Sequence, residues 1–174
     1  MAFNIYQQVF GEDGLPLEKR VGPYLDQLME LFVQSPEAQQ LRSEGIEPGG
    51  AAMILDFGIN YLGVTPPDMS PDNLREILFD IVPRKVSTSA DDAEDIVNEL
   101  RAFWTFLQRE FHLENATACL KVLDERAARE LKKKLSDPAN FGIAKSFVMM
   151  GMERGFDLSS EEGINEWMAT YNTE

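Results

Sequence analysis

Apolar residues recur along most of this chain at steps of three and four, the spacing that gathers them on one face of an α-helix. From Leu17 the set Val21, Tyr24, Leu25, Leu28, Leu31 and Phe32 predicts a helix of about four turns. Ser35-Pro36 ends it and opens another, because a serine hydroxyl can cap free amides while proline fits the first helical position; Gly45 is its expected left-handed stop. Gly49-Gly50 then leads into Ala51 to Leu62, a stretch interrupted only by Asp56, Gly58 and Asn60. A helix apolar on nearly every side belongs in the middle of a domain, and Gly58 predicts close approach of another helix there.

The same grammar continues. Ser70-Pro71-Asp72-Asn73 opens a helix with Leu74, Ile77, Leu78 and Ile81 turned inward; Pro83 is expected to close it and leave Arg84 to Thr88 as a linker. Ser89 with Asp92 resembles a capping box, and acidic residues crowd the first turns after it, where the helix dipole favours negative charge. This should be the longest helix, with the aromatic stripe Phe103, Trp104 and Phe111 among its inward residues Ile96, Val97, Leu100 and Leu107. Asn115 is the expected cap of a sixth helix carrying Leu120, Leu123, Ala127, Leu131 and Leu135, with Leu113 as its staple and Lys132 to Lys134 in its last turn. Asp137-Pro138 opens a seventh, through Phe141, Phe147 and Met152 to the stop Gly155. Ser159 with Glu162 opens an eighth that buries Ile164, Trp167, Met168 and Tyr171.

The predicted fold is therefore all-α: a compact single-domain bundle of about eight helices around the central apolar helix 51–62. Residues 1–16 fit neither helical nor strand period and form an amino-terminal arm, with at most one small hairpin, ahead of a single helical domain at 17–174. Ile54, Phe57, Ile77, Leu100, Phe103, Trp104, Leu107, Leu123, Phe147 and Trp167 are the expected core.

Length and composition agree with this picture. At 174 residues, with 44% hydrophobic and 26% charged positions, a single domain can bury roughly 70% of its unfolded surface. The net charge is −14, and residues 1–87 and 88–174 carry −7 each, so the acidity is spread and not held in a tail. Such a field repels phosphate backbones and anionic lipid, so neither nucleic acid nor membrane is an expected partner. The single cysteine, Cys119, leaves no intramolecular disulfide and suits a reducing compartment. With no basic apolar leader and no run near the ~20 apolar residues of a membrane span, the expected location is the cytoplasm.

Few residues offer chemistry. His112 is the only histidine and falls beside the end of the long helix, where neutralising the carbonyl terminus is its expected role. Cys119 sits beside Leu120 and Leu123 and is expected to pack as a small hydrophobe. Asp56 and Asn60, four apart, share one helix face and form the most interesting polar pair, either as a solvent edge or as a partner contact. Asp56, Glu76 and Asp80 would make a carboxylate cluster only if the fold brought their helices together. Arg84-Lys85, expected in a loop with no helix dipole to serve, is the strongest partner-binding site. Met149, Met150 and Met152 are expected to fill core gaps. No phosphate-cradling glycine loop, dinucleotide fingerprint, nucleophile elbow or metal motif occurs, so no catalytic residue, metal or cofactor is assigned.

Four segments, Ser35-Pro36-Glu37-Ala38-Gln39, Met53-Ile54-Leu55-Asp56-Phe57-Gly58, Val82-Pro83-Arg84-Lys85-Val86 and Gly155-Phe156-Asp157-Leu158, resemble a group of bacterial all-helical proteins of similar length. That group has no established activity. The resemblance implies a bacterial cytosolic origin and one intact domain, and carries over no catalytic residue. The expected function is a non-enzymatic protein-interaction module binding another protein, a second copy of the chain included, through Arg84, Lys85, Asp56 and Asn60. Two alternatives stand beside it: a carboxylate- or metal-dependent enzyme, and an acidic regulator of a basic target.

Overall fold

A computed structural model describes residues 3–173; positions 1, 2 and 174, the outermost parts of the predicted arm and domain, lie outside the described residues. The described chain is 69% helical and forms nine helices with no strand. They are α1 (Glu18–Val33), α2 (Pro36–Ser43), α3 (Ala51–Phe57, continued by a π-helical turn Gly58–Leu62) and α4 (Pro71–Glu76, continued through a π-helical turn Ile77–Ile81 into Val82–Lys85). Beyond these come α5 (Ala93–Phe111), α6 (Ala116–Val122), α7 (Ala127–Ser136), α8 (Ile143–Glu153) and α9 (Glu161–Tyr171). The all-α single-domain expectation holds.

Several caps work as their residue types require. Ser35 accepts from Ala38 N, and Ser70 and Ser89 form capping boxes with Asn73 and Asp92. Gly45, Gly63 and Gly155 take left-handed conformations at helix ends. Helix α5 packs against α2, α3, α6 and α7. Its Val97, Leu100, Phe103, Trp104, Phe106 and Leu107 are buried, and Phe32 of α1 meets Phe103 edge-on with ring centroids 5.1 Å apart. Helix α3 lies among α1, α4 and α5. The amino-terminal segment is drawn into the same core by buried Ile5 and Val9, and the Tyr24 hydroxyl donates to Ile5 O at 3.1 Å. Among the described residues its one strand-like pairing is an isolated bridge, Phe10 with Pro16.

The structure corrects four local expectations. Pro83 does not end its helix: the wider turn before it, closed by Val82 N donating to Ile77 O, carries the chain past the carbonyl its ring would strike, and the helix runs to Lys85. Arg84 and Lys85 therefore sit on a last helical turn, not in a loop. The expected sixth helix is two, because Asp124 Oδ1 accepts from Arg126 N and Ala127 N while the Arg101 guanidinium fills Leu123 O at 2.7 and 3.0 Å. Asn115 caps no amide and instead donates to Pro66 O and Met69 O, both at 2.8 Å. The last two helices start later than expected, at Ile143 and Glu161, the latter capped by Ser160.

Helices α8 and α9 form a pair apart from the main core. Trp167 is buried between Phe147, Phe156 and Tyr171, and its indole N–H donates to Phe147 O at 2.9 Å. It is the one large apolar side chain that this helix pair fully encloses among the described residues. Ile164, Met168 and Tyr171, expected to be buried, are exposed, as is Met152, while Met149, Met150 and Phe147 are half-buried. The pair joins the body where its start meets the end of α4.

Candidate functional site

That junction is built from free backbone ends. The last carbonyls of α4 have no partner within the helix, and two are filled from the start of α8 and the residue before it: Gly142 N donates to Arg84 O at 2.9 Å and the Lys145 ammonium donates to Pro83 O at 2.7 Å. Gly142 is needed here, since a Cβ would lie 2.8 Å from Arg84 O. A cation at the negative end of a helix dipole is favourably placed. Lys145 is 2% exposed, its ammonium 4.1 Å from the Phe141 ring centroid, and burial holds its pKa below the ordinary amine range.

Between this junction and α3 opens a pocket of about 410 Å³ lined by Phe57, Tyr61, Arg84, Lys85 and residues 142–145. Phe57 and Tyr61 pack edge-on at 5.6 Å, and the Lys85 ammonium lies 4.7 Å from the Tyr61 ring centroid, so that lysine is held across the mouth. Tyr61 is 53% exposed and Ile143 92% exposed at the rim. The helix that starts there, α8, has no side-chain cap on its first amides. Among the described residues, none of Arg84, Lys85 and Lys145 pairs with a carboxylate, a property they share with Lys19, Arg20, Arg101, Lys121, Arg129 and Lys133 and not with Arg42, Arg75, Arg109, Arg126, Lys132 and Lys134.

The other two expected contact residues lie elsewhere. Asp56 and Asn60 project from an adjacent side of α3 into a separate hollow of about 400 Å³ against α1, with Val21, Gly22 and Leu25. Their polar groups satisfy each other, Asn60 Nδ2 donating to Asp56 Oδ1 at 2.8 Å. The structure thus brings Arg84 and Lys85 together with Tyr61 and Lys145, and leaves Asp56 and Asn60 outside that pocket.

The remaining chemistry-bearing residues resolve locally. Asp80 lies 3.8 Å from the Lys134 ammonium. Among the described residues no three of His, Cys, Asp and Glu gather to hold a metal ion, so Asp56, Glu76 and Asp80 form no such cluster. His112 terminates α5 in a left-handed conformation, φ 53°, and is exposed. Cys119 is buried with its thiol pushed up to about 12 by desolvation, which leaves no thiolate for nucleophilic work near neutrality.

Two polar residues with structural weight escaped the sequence reading. Lys145 stands within an apolar helical run, a signal that its ammonium must find an acceptor. Glu99 is 6% exposed, and its carboxylate accepts from Gly49 N, Gly50 N and Ala51 N at 2.7, 3.1 and 2.9 Å, capping α3 from the long helix. The glycine pair before α3, with no side chain to cap the helix, was the available clue.

No helix among the described residues is long and apolar enough to cross a membrane. The chain matches no family model, no curated protein and no solved structure.

Proposed function

We propose that this chain is a protein-binding module that docks another protein at the pocket between the end of α4 and the start of α8, with Arg84 and Lys85 as its principal contacts. The observation that carries the reading is the pair of exposed cations without a carboxylate partner, set at the mouth of an apolar-walled pocket in a chain of net charge −14. Other cations of the chain also lack a carboxylate, so it is the pocket beside Arg84 and Lys85, together with that free charge, that supports this reading. Arginine and tyrosine are also favoured at interfaces. A second copy is the less favoured partner, because two chains of −14 repel. The single buried cysteine suits a reducing compartment, and the cytoplasm is the proposed location. A metal-dependent enzyme has less support, since Asp56 and Asn60 bond each other. Presentation of the acidic surface to a basic target competes with the pocket reading, and the choice between them rests on one variant.

The experiment is affinity capture from native lysate with the wild-type chain and the Arg84→Ala/Lys85→Ala double variant as parallel baits, each protein's melting temperature checked first. Proteins held by the wild type should be lost from the variant while the fold is unchanged. Equal capture by both baits would overturn the site assignment and favour the acidic surface.

A further inference from the structure

We infer that the pocket between α3, α4 and α8 receives a short acidic segment of the partner protein, one carboxylate meeting Arg84 and Lys85 while a neighbouring large apolar side chain lies on Phe57, Tyr61 and Ile143. The inference rests on the protein-binding reading and specifies the chemistry of the partner at that same site.

The walls divide the occupant into two parts. The pocket's cationic part is Arg84, the Lys85 ammonium held 4.7 Å from the Tyr61 ring centroid, and the uncapped start of α8. A carboxylate is the complement of these groups, and guanidinium hydrogen bonds to it are stronger than neutral ones. Directly beside them are Phe57, half-buried, and the exposed Tyr61 and Ile143, a surface that only an apolar side chain would dry. About 410 Å³ falls within the ~300–1,000 Å³ range of small ligand sites, room for one or two side chains and not for a folded domain.

The overall charge sets the length of the occupant. A polyanion would feel the −14 field of the whole molecule, and nucleic acid is disfavoured on that ground. Screening over about 8 Å at physiological ionic strength confines a short segment to the charges closest to it, and the charged residues that line the pocket are Arg84, Lys85 and Lys145. The pocket is also prepared in advance. Lys145 and Gly142 clamp the floor to the end of α4, and the Tyr61 ring steadies Lys85, so the ordering left to binding is chiefly that of the exposed Arg84 and Ile143 side chains.

The test is selection of random twelve-residue peptides displayed on phage against immobilised wild-type chain, with counter-selection on Arg84→Ala/Lys85→Ala. The expected consensus is an aspartate or glutamate beside a phenylalanine, leucine or tryptophan. In fluorescence anisotropy with the best synthetic peptide, replacing its acidic residue by the amide should weaken binding at least tenfold. Tyr61→Ala and the double variant should each do the same, with circular dichroism unchanged. Inorganic phosphate at 50 mM should not displace the peptide. Basic or uncharged consensus peptides, no enrichment, or peptides held equally by the double variant would overturn the inference. Full displacement by phosphate would overturn it in favour of a general anion site. If lysate capture depends on Arg84 and Lys85 while no acidic consensus emerges, the inference falls and the protein-binding reading stands; if neither depends on them, both fall.

Discussion

Glu99 offers the sharpest test of how the α3 wall of the pocket is held. Its buried carboxylate accepts three amides at the start of α3, where Gly50 supplies no cap of its own. Gly49 and Gly50 are exposed and water can replace their bonds, but Ala51 is buried and cannot be served that way. Glu99→Ala should therefore cost about 1–3 kcal/mol for the orphaned amide of Ala51, plus about 0.3–1 kcal/mol for the lost charge at the helix start. At a slope of about 2 kcal/mol/M, a loss near 3 kcal/mol moves the urea midpoint down by roughly 1.5 M. Gly50 sharpens the test, since its backbone is ordinary right-handed helix, φ −66° and ψ −25°, where alanine normally stabilises by about 0.4–1 kcal/mol. Here a Cβ would lie 2.8 Å from Glu99 Oε2 and push the carboxylate off its amides. Gly50→Ala should destabilise the wild type and stabilise the Glu99→Ala background, a change of sign that a double-mutant cycle reads directly. A Glu99→Ala cost below about 0.5 kcal/mol, or the same sign for Gly50→Ala in both backgrounds, would refute the capping account.

Three further outcomes are expected. Leu100, buried in α5 at the centre of the core, should cost about 2–5 kcal/mol as alanine in urea unfolding, and a loss under about 0.5 kcal/mol would mean that the surrounding helices do not pack as described. Gly151→Ala places a Cβ 2.8 Å from Trp167 Cδ1 and 2.9 Å from Leu158 Cδ1, so overpacking of about 1–3 kcal/mol should loosen the α8–α9 pair; unchanged Trp167 emission in a Trp104→Phe background would contradict it. Cys119, with its thiol pushed up to about 12, should resist maleimide at pH 8 until the chain unfolds. Between the ordinary value of 9.0 and about 12 the unfolded chain gives up a proton that the folded chain keeps, so stability should fall as pH rises through that window; the Tyr24 phenol, also raised by burial, acts in the same direction, so Cys119→Ala should lessen this loss without abolishing it. Labelling at equal rates in buffer and in urea would sink that reading.

The features legible in the sequence were those settled within a turn of backbone. Ser35, Ser70 and Ser89 cap because their hydroxyls reach amides two or three residues on, and Gly45 and Gly155 end helices because positive φ suits them. Where a distant partner decides, the same rules misplaced the boundary. Asn115 has the right chemistry for a cap, but two carbonyls from residues 66 and 69 compete for its amide group. The break after Leu123 depends on Arg101 arriving from α5 to fill a carbonyl that an unbroken helix would have kept for itself. Ile164, Met168 and Tyr171 fall on a convincing helical stripe, yet periodicity specifies which side faces inward and not whether anything covers it. With α8 as the neighbour of α9, only Trp167 is enclosed.

The site shows how one local error hides a long-range contact. Arg84 and Lys85 stood out by charge, and the structure sets both in one pocket. Their floor is another matter. A lysine within an apolar helical stripe is costly unless its ammonium finds acceptors, so Lys145 itself implies a free carbonyl nearby. The densest supply of free carbonyls is the end of a helix, and the end of α4 supplies Pro83 O. Taking Pro83 as the stop turned 84–88 into a loop, which hid the ordered helix end that holds this acceptor beside Arg84 and Lys85. The π-helical turn at Ile77–Ile81 restores it: by widening one turn it lets α4 pass its proline, and so delivers Arg84 and Lys85 to the pocket mouth and Pro83 O to its floor in one step. Such wider turns are frequent at functional sites because they shift the register of the residues beyond them, and α3 has another at Gly58–Leu62 that carries Tyr61. The two helices that form the aromatic wall and the cationic mouth are thus, among the described residues, the two whose register departs from the regular α-helix, which is why the charges stood out in the sequence while periodicity missed the cavity between them.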